Sequence, residues 1–356
     1  MLQKKIATAM MLYCYFSVPA QTLVDSAQKK QAIVLSGSAD IYFKYDLNKQ
    51  PGNINTSFTN THNQFALGMA SVKLEHTGKK VSAVADLGFG PRAEAFSYND
   101  AGTALAYVKQ LYMCYAPNDA LKFTAGTWAT HVGYEMLDPQ LNKNYSMSYL
   151  FTNGPFSHTG IKAEYTKGKN GFMAGLSNPT DYRNPQQGLI NKKFFIGQYS
   201  RSVSENIKLY FNYAGGKAPD TSIVQQYDLV ATASVNKKIS LAFNASLNQS
   251  RIRNHETKTN DPYKAWWGAA AYLSYDAKEW FGLSLRSEWF NDEKGIKGLG
   301  TTILANTVSA SFKYDALTII PEIRIEQAAN TVYNNSSATK NIKTDAAFIV
   351  AAVYKF

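Results

Sequence analysis

Lys343–Phe356 reads KTDAAFIVAAVYKF. Taken in twos back from the carboxyl end, Phe356, Tyr354, Ala352, Val350, Phe348 and Ala346 are all apolar or aromatic. The alternate register holds Lys355, Val353, Ala351, Ile349, Ala347 and Asp345, polar only at its two ends. This is the period-2 pattern of a β-strand. A strand at the chain's end has no following hairpin partner, and an open apolar edge is an aggregation site. Pairing with the first strand removes that edge, so the stretch predicts a sheet closed on itself. The competing reading is an ordinary edge strand of a soluble sandwich.

The upstream chain favours closure. In Ala32–Asp46, Leu35, Gly37, Ala39, Ile41, Phe43 and Tyr45 alternate with Ser36, Ser38, Asp40, Tyr42, Lys44 and Asp46. Similar alternation runs through 207–213, 239–248, 281–288 and 319–326. It is weak in 64–76 and 264–275, and Pro321 suggests a bulge because it brings no ladder donor. Long polar loops are expected near 47–62, 92–103, 135–154, 178–192, 215–225, 251–262, 291–304 and 328–342. Short turns are expected near 77–80, 117–119, 167–170, 203–206, 236–238, 276–279 and 314–316. Eight long and seven short connections join sixteen strands and leave both termini on the short-turn side. A sandwich has no reason to sort its loops in this way. The pattern is that of an all-β, transmembrane, antiparallel up-and-down β-barrel of about sixteen strands, with fourteen or eighteen as alternatives. Tyr115, Phe123, Tyr165, Phe172, Tyr275, Trp280, Phe281, Tyr314 and Phe356 gather beside the short turns, as an interfacial aromatic girdle would.

Composition agrees. The 356 residues include 23 Tyr and 19 Phe, which favour strands and membrane interfaces. The net charge of +11 is scattered in ones and twos, with no basic helix or zinc knuckle for nucleic acid. Residues 1–20 have the pattern of a signal peptide: Lys4 and Lys5, the apolar run Ile6–Phe16, and Val18-Pro19-Ala20 before a cut. Its removal would take away two positive charges. Residues 21–31 are expected to be a periplasmic lead-in and 32–356 the outer-membrane barrel. No later run of about 18 apolar residues could form a spanning helix. After cleavage Cys114 would be the one cysteine, so no internal disulfide is expected.

Several chemical motifs are tested and set aside. Gly88–Ala93, GFGPRA, spells a dinucleotide fingerprint but opens no amphipathic helix to hold a pyrophosphate. His62, His76, His131, His158 and His255 lack metal-site spacing, so no metal or other cofactor is expected. His131 and His158 could face each other across one hairpin, with rim hydrogen bonding the simpler role. Ser157-His158 is the one adjacent nucleophile–base pair, and strand neighbours point to opposite faces. An enzyme is therefore not expected. A ligand-gated transporter of about 22 strands with a plug would need far more chain.

The chain resembles the OmpL-like β-barrel porins of Gram-negative, Bacteroidetes-type bacteria. The likeness lies in SGSADIYFKYD (Ser36–Asp46), LGFGPRAEA (Leu87–Ala95), VKQLYMCYAP (Val108–Pro117), FTAGTW (Phe123–Trp128), HVGYE (His131–Glu135), NYSMSYLFTNGPFSHTGIKAEY (Asn144–Tyr165) and PEIRIEQ (Pro321–Gln327). Residues 178–304 match it only in general pattern. The resemblance implies an outer-membrane channel with no catalytic residues, passing small hydrophilic solutes. It also implies that Tyr354 and Phe356 form the C-terminal signal met by the barrel-assembly machinery. Sixteen-stranded porins are often trimers, so a homotrimer is an expectation by analogy. The alternative function is a structural or adhesive surface barrel plugged by its loops.

On the strand register, Asp40, Lys44, Asp86, Lys122, Lys162, Glu164, Lys208, Asp228, Arg286, Glu288, Lys313, Glu322, Arg324 and Glu326 point into the lumen. Without Lys208, Asp228 and Lys313, and with Arg92 and Trp128 added, they are the candidate pore lining. They are either mutually neutralised wall charges or a field that screens solutes. Residues 135–154 form the unusual loop, holding Met136, Leu137, Leu141, Tyr145, Met147, Tyr149, Leu150 and Phe151. Such an apolar loop must pack against something. It is expected to bend inward onto Trp128 and form a constriction with Glu135, Asp138, Tyr145 and Tyr149. Glu135 and Asp138 are expected to face Lys44, Lys122 or Arg92. An outward cap on neighbouring loops or another subunit is the alternative.

Overall fold

The computed structural model describes residues 33–184, 191–220, 222–252 and 259–356. The expected signal peptide, 1–20, and lead-in, 21–31, lie outside these residues. The barrel wall begins with β1 (Ile33–Asp46), β2 (Gln64–Thr77), β3 (Val81–Phe89), β4 (Val108–Asn118) and β5 (Leu121–Ala129). It continues with β6 (Ser157–Lys167), β7 (Asn170–Ser177), β8 (Phe194–Ser202), β9 (Ile207–Lys217), β10 (Ile223–Ser234) and β11 (Ile239–Arg251). It ends with β12 (Lys264–Lys278), β13 (Phe281–Asn291), β14 (Thr302–Tyr314), β15 (Leu317–Ala328) and β18 (Thr344–Lys355). Two short strands, β16 (Tyr333–Asn334) and β17 (Lys340–Ile342), make a separate hairpin in the last long loop. Each wall strand pairs antiparallel with its chain neighbours, and β1 pairs with β18 to close sixteen strands into a barrel. At the seam Gly37 and Phe356 exchange two backbone hydrogen bonds of 3.0 Å. The long and short connections alternate as the sequence predicts.

The two faces also sort as expected. Leu241 and Phe243 of β11 are 43% and 40% exposed on the outside, while Asn244 is 2% exposed inside. Among the girdle aromatics, Tyr115, Phe123, Tyr165, Phe172, Tyr275, Trp280, Tyr314 and Phe356 are exposed.

Both strands with weak alternation have a physical explanation. In β2 the pairing shifts from Ala39↔Ala70 to Ile41↔Leu67, so Gly68 and Met69 both turn inward. This bulge flips the face of every later residue. Asp40 fills the kink: its carboxylate accepts from Met69 N at 2.9 Å, and a Cβ on Gly68 would collide with it. Strand β12 alternates regularly, but its inward residues Trp266, Ala270 and Tyr272 are apolar because protein covers them. Both faces then look alike in sequence.

Pro321 makes no bulge. It pairs in register with Val350, and β14–β15 pairing resumes at Phe312↔Ile319 in the register set by Ser309↔Glu322. A missing donor thins the ladder without inserting a residue.

Candidate functional site: the lumen and its loop

The connection from β5 to β6 runs through the barrel interior. It departs along β9 and β10, where the His131 ring lies 3.0 Å from the Tyr213 carbonyl and Gly133 N donates to Asp228 at 3.0 Å. Tyr134 then packs on Tyr272 of β12 at 4.5 Å, and Glu135 pairs with Arg286 of β13 at 2.6 Å. The innermost part is a 3-10 turn, Pro139–Leu141. Beside it Asp138 meets Lys109 of β4 at 2.5 Å, and Lys143 meets Asp276 of β12 at 2.8 Å. Asp276 is two residues from the end of β12, so the loop descends to the short-turn end of the barrel. The return passes Ser309, Glu322 and Asp40 and rises through the helix α2 (Tyr149–Asn153).

Chain placed inside a barrel must satisfy its own backbone groups. Here the wall's charged side chains do so. The two oxygens of Glu322 accept from Tyr145 N at 2.7 Å and Ser146 N at 3.0 Å. Those of Glu288 accept from Tyr149 N and Leu150 N, each at 2.8 Å, beneath the first turn of α2. The Ser148 hydroxyl caps that turn by accepting from Phe151 N. Arg286 donates to the Ser146 carbonyl at 2.7 Å, and Arg324 to the Met147 carbonyl at 2.5 Å. Tyrosine hydroxyls close the remaining lone pairs: Tyr145 donates to Asp40 at 2.5 Å and Tyr149 to Glu326 at 2.8 Å. Burial holds both phenols well above their ordinary pKa, so they stay donors.

A closed sixteen-stranded barrel with one loop folded within it is a channel architecture, and comparison with known proteins bears on its class. Residues 32–356 match the family described as "Putative beta-barrel porin-2, OmpL-like". The chain belongs to that family. It is an outer-membrane porin barrel. Among solved structures, the anion-selective porin from Comamonas acidovorans is similar at a TM-score of 0.62 and 10% identity, covering 92% of this chain and 100% of its own. OmpT of Vibrio cholerae in its trimer form gives 0.59 and 10%, with coverage of 92% and 100%. The channel DcaP of Acinetobacter baumannii gives 0.58 and 9%, with coverage of 93% and 99%. At these identities the likeness is one of fold. No protein with curated function is similar in sequence.

The porin's structure separates the candidate residues into three groups. Arg286, Glu288, Glu322, Arg324 and Glu326 do point inward, but each is at most 1% exposed because the loop covers them. They line the seat of the loop, and the expectation that they line open water needs that correction. Lys44 is likewise 0% exposed and donates to the Thr59 carbonyl, inside the first long loop. In the third group Lys122 meets solvent, while Lys162 and Glu164 are buried. Lys122 bridges to Glu164 at 2.8 Å and is 41% exposed, with Lys162 3.4 Å from the same Glu164.

The partners expected for the loop differ from those found. Glu135 pairs with Arg286 and Asp138 with Lys109; neither pairs with Lys44, Lys122 or Arg92. Burial raises the Asp138 carboxyl against the pull of Lys109. Arg92 sits in the short helix α1 (Pro91–Phe96), over the rings of Phe58 and Tyr145, and donates to the Leu137 carbonyl at 3.3 Å. Trp128 does not support residues 135–154; it packs with Val132, Met173, Ile196 and Ala214 beneath Lys162. The loop's apolar side chains instead join three clusters, with Tyr145 beside Tyr42, Ile320 and Ile349. Tyr149 and Leu150 lie with Trp266, Phe290 and Ile303, while Leu137 and Met147 lie with Phe58, Phe96 and Phe156.

Sequence reasoning missed Lys109, Lys143, Asp276 and Ser309. Lys109 is the extra residue of a bulge, since Gln110 pairs with Asp86 and Val108 with Leu87. Strict alternation passes over it. Above the loop, a cavity of about 780 Å³ opens on the long-loop side, bordered by Phe156, Asp181, Gln226, Asn248, Arg251 and Lys297.

Proposed function

We propose that this porin is a passive diffusion channel for small hydrophilic solutes, narrowed by its inward-folded loop 135–154. The observation that carries the reading is the anchoring of the loop by its backbone. Glu288, Glu322, Arg286 and Arg324 hold consecutive loop amides and carbonyls. A loop held in this way is a fixed part of the lumen, and solutes must pass beside it. The charges that could act on a solute are then the partly exposed ones: Lys122, Lys143, Asp276 and Lys313. They are mostly paired, which argues for mild selectivity. Assembly as a homotrimer is part of the same reading, by analogy with the OmpT structure in trimer form.

One observation favours the second reading, a loop-plugged surface barrel. Within a few residues the loop reaches β13 through Glu135 and β4 through Asp138, which lie on opposite sides of the barrel. Single-channel conductance in a planar bilayer distinguishes the two. The channel reading expects a measurable wild-type conductance that rises when 141–149 is deleted. A silent wild type that opens only on deletion would establish the plugged barrel. Unchanged conductance in a correctly assembled deletion variant would move the filter elsewhere.

A further inference from the structure

The loop leaves the wall at His131 and returns to it at His158, and these two imidazoles pack together. Their centroids are 5.0 Å apart, and the residues are 7% and 0% exposed. The partner of the His131 Nε2 is a carbonyl, Tyr213 O at 3.0 Å, which can only accept. Nε2 therefore carries the proton. In the neutral ring Nδ1 is then the lone-pair nitrogen. The His158 Nε2 is 3.0 Å from the Thr130 hydroxyl. Both Nδ1 atoms are buried without a partner, as is the indole nitrogen of neighbouring Trp128. Buried polar atoms are nearly always paired, and two ring nitrogens left unpaired side by side call for an occupant.

We infer that His131 and His158 form a two-imidazole site for a borderline divalent cation such as Zn²⁺ or Cu²⁺. The spacing fits: an ion about 2.0 Å from each nitrogen, bonded at a tetrahedral angle, puts the ring centroids about 5 Å apart. Imidazole is the ligand type that suits these ions. Each ring's other nitrogen is already fixed by an oxygen, the arrangement that orients metal-bound histidine. Lys162, whose charge opposes a cation, is offset only in part by Glu164 at 3.4 Å, a carboxylate it shares with Lys122. Among the described residues no third His, Cys, Asp or Glu joins the pair, so solvent or an anion completes the coordination. The ion would join the two feet of the lumen loop.

The test is Cu²⁺ binding to the full-length porin, refolded in detergent with and without one equivalent of Cu²⁺ and read by electron paramagnetic resonance. The expected result is nitrogen hyperfine coupling from two imidazoles at one Cu²⁺ per chain, displaced by Zn²⁺. His131→Asn and His158→Asn should each weaken binding about tenfold or more, and Thr130→Val should weaken it about tenfold through the second ring nitrogen. Heat-modifiable migration in gels verifies that each variant is folded. A wild type without two-nitrogen coupling would overturn the site whatever the variants do. So would coupling that survives in folded variants of both histidines.

Discussion

At the scale of single residues, the side chains that matter most are charged groups that bind backbone. Glu135 is the clearest: it pairs with Arg286 and also accepts from Ser148 N at 2.7 Å. Glu135→Gln should strand the buried Arg286 charge, and breaking such a pair costs about 3–5 kcal/mol. We expect a lower temperature for the heat-modifiable transition and noisier, larger conductance steps as the loop loosens. A variant matching wild type in both would mean that Arg286 is satisfied without it. The sequence places Glu288, Glu322, Arg286 and Arg324 inside the barrel, because period-2 alternation fixes the face of a strand residue. It does not show what they touch. Their partners are amides and carbonyls of a loop more than a hundred positions away, and a backbone group has no letter in the sequence.

At the scale of elements, the strands were legible wherever one face met solvent and the other an apolar surround. They were illegible where that contrast failed. β12 is apolar on both sides because Tyr149 and Leu150 cover it. β2 and β4 carry bulges that reverse the alternation. The wall register can be tested on β11. Leu241→Arg should block assembly, since an arginine near the bilayer midplane costs about 2–4 kcal/mol. Ser240→Arg, one residue along and facing inward beside the short turns, should assemble. Asn244 is a poor control despite facing the lumen: its amide donates to Asp228 at 2.6 Å and it is buried. Equal migration of the Leu241 and Ser240 variants in gels would overturn the register. The inward loop was legible as an element from its run of Leu, Met, Tyr and Phe. Its resting place was not, because apolar content says that a segment packs and says nothing of where.

At the scale of the whole molecule, closure rests on one seam. Gly37 faces Phe356 so closely that a Cβ there would lie 2.4 Å from the ring and 2.5 Å from the Ser71 carbonyl. Gly37→Val should therefore lower the yield of folded barrel in outer-membrane fractions, whereas Gly52→Val, where a Cβ meets nothing within 4 Å, should not. Export is a separate expectation: the mature protein should begin at Gln21, and an intact mass retaining Lys4 and Lys5 would contradict it. The anchoring of the loop also bears on how such a channel can change over generations. Its position depends on wall charges gripping peptide groups, which every residue supplies alike. Met136, Gln140 and Leu141, partly or fully exposed inside the barrel, are therefore free to drift. Lineages could retune what the channel admits by exchanging those few letters while the scaffold beneath them stays as it is.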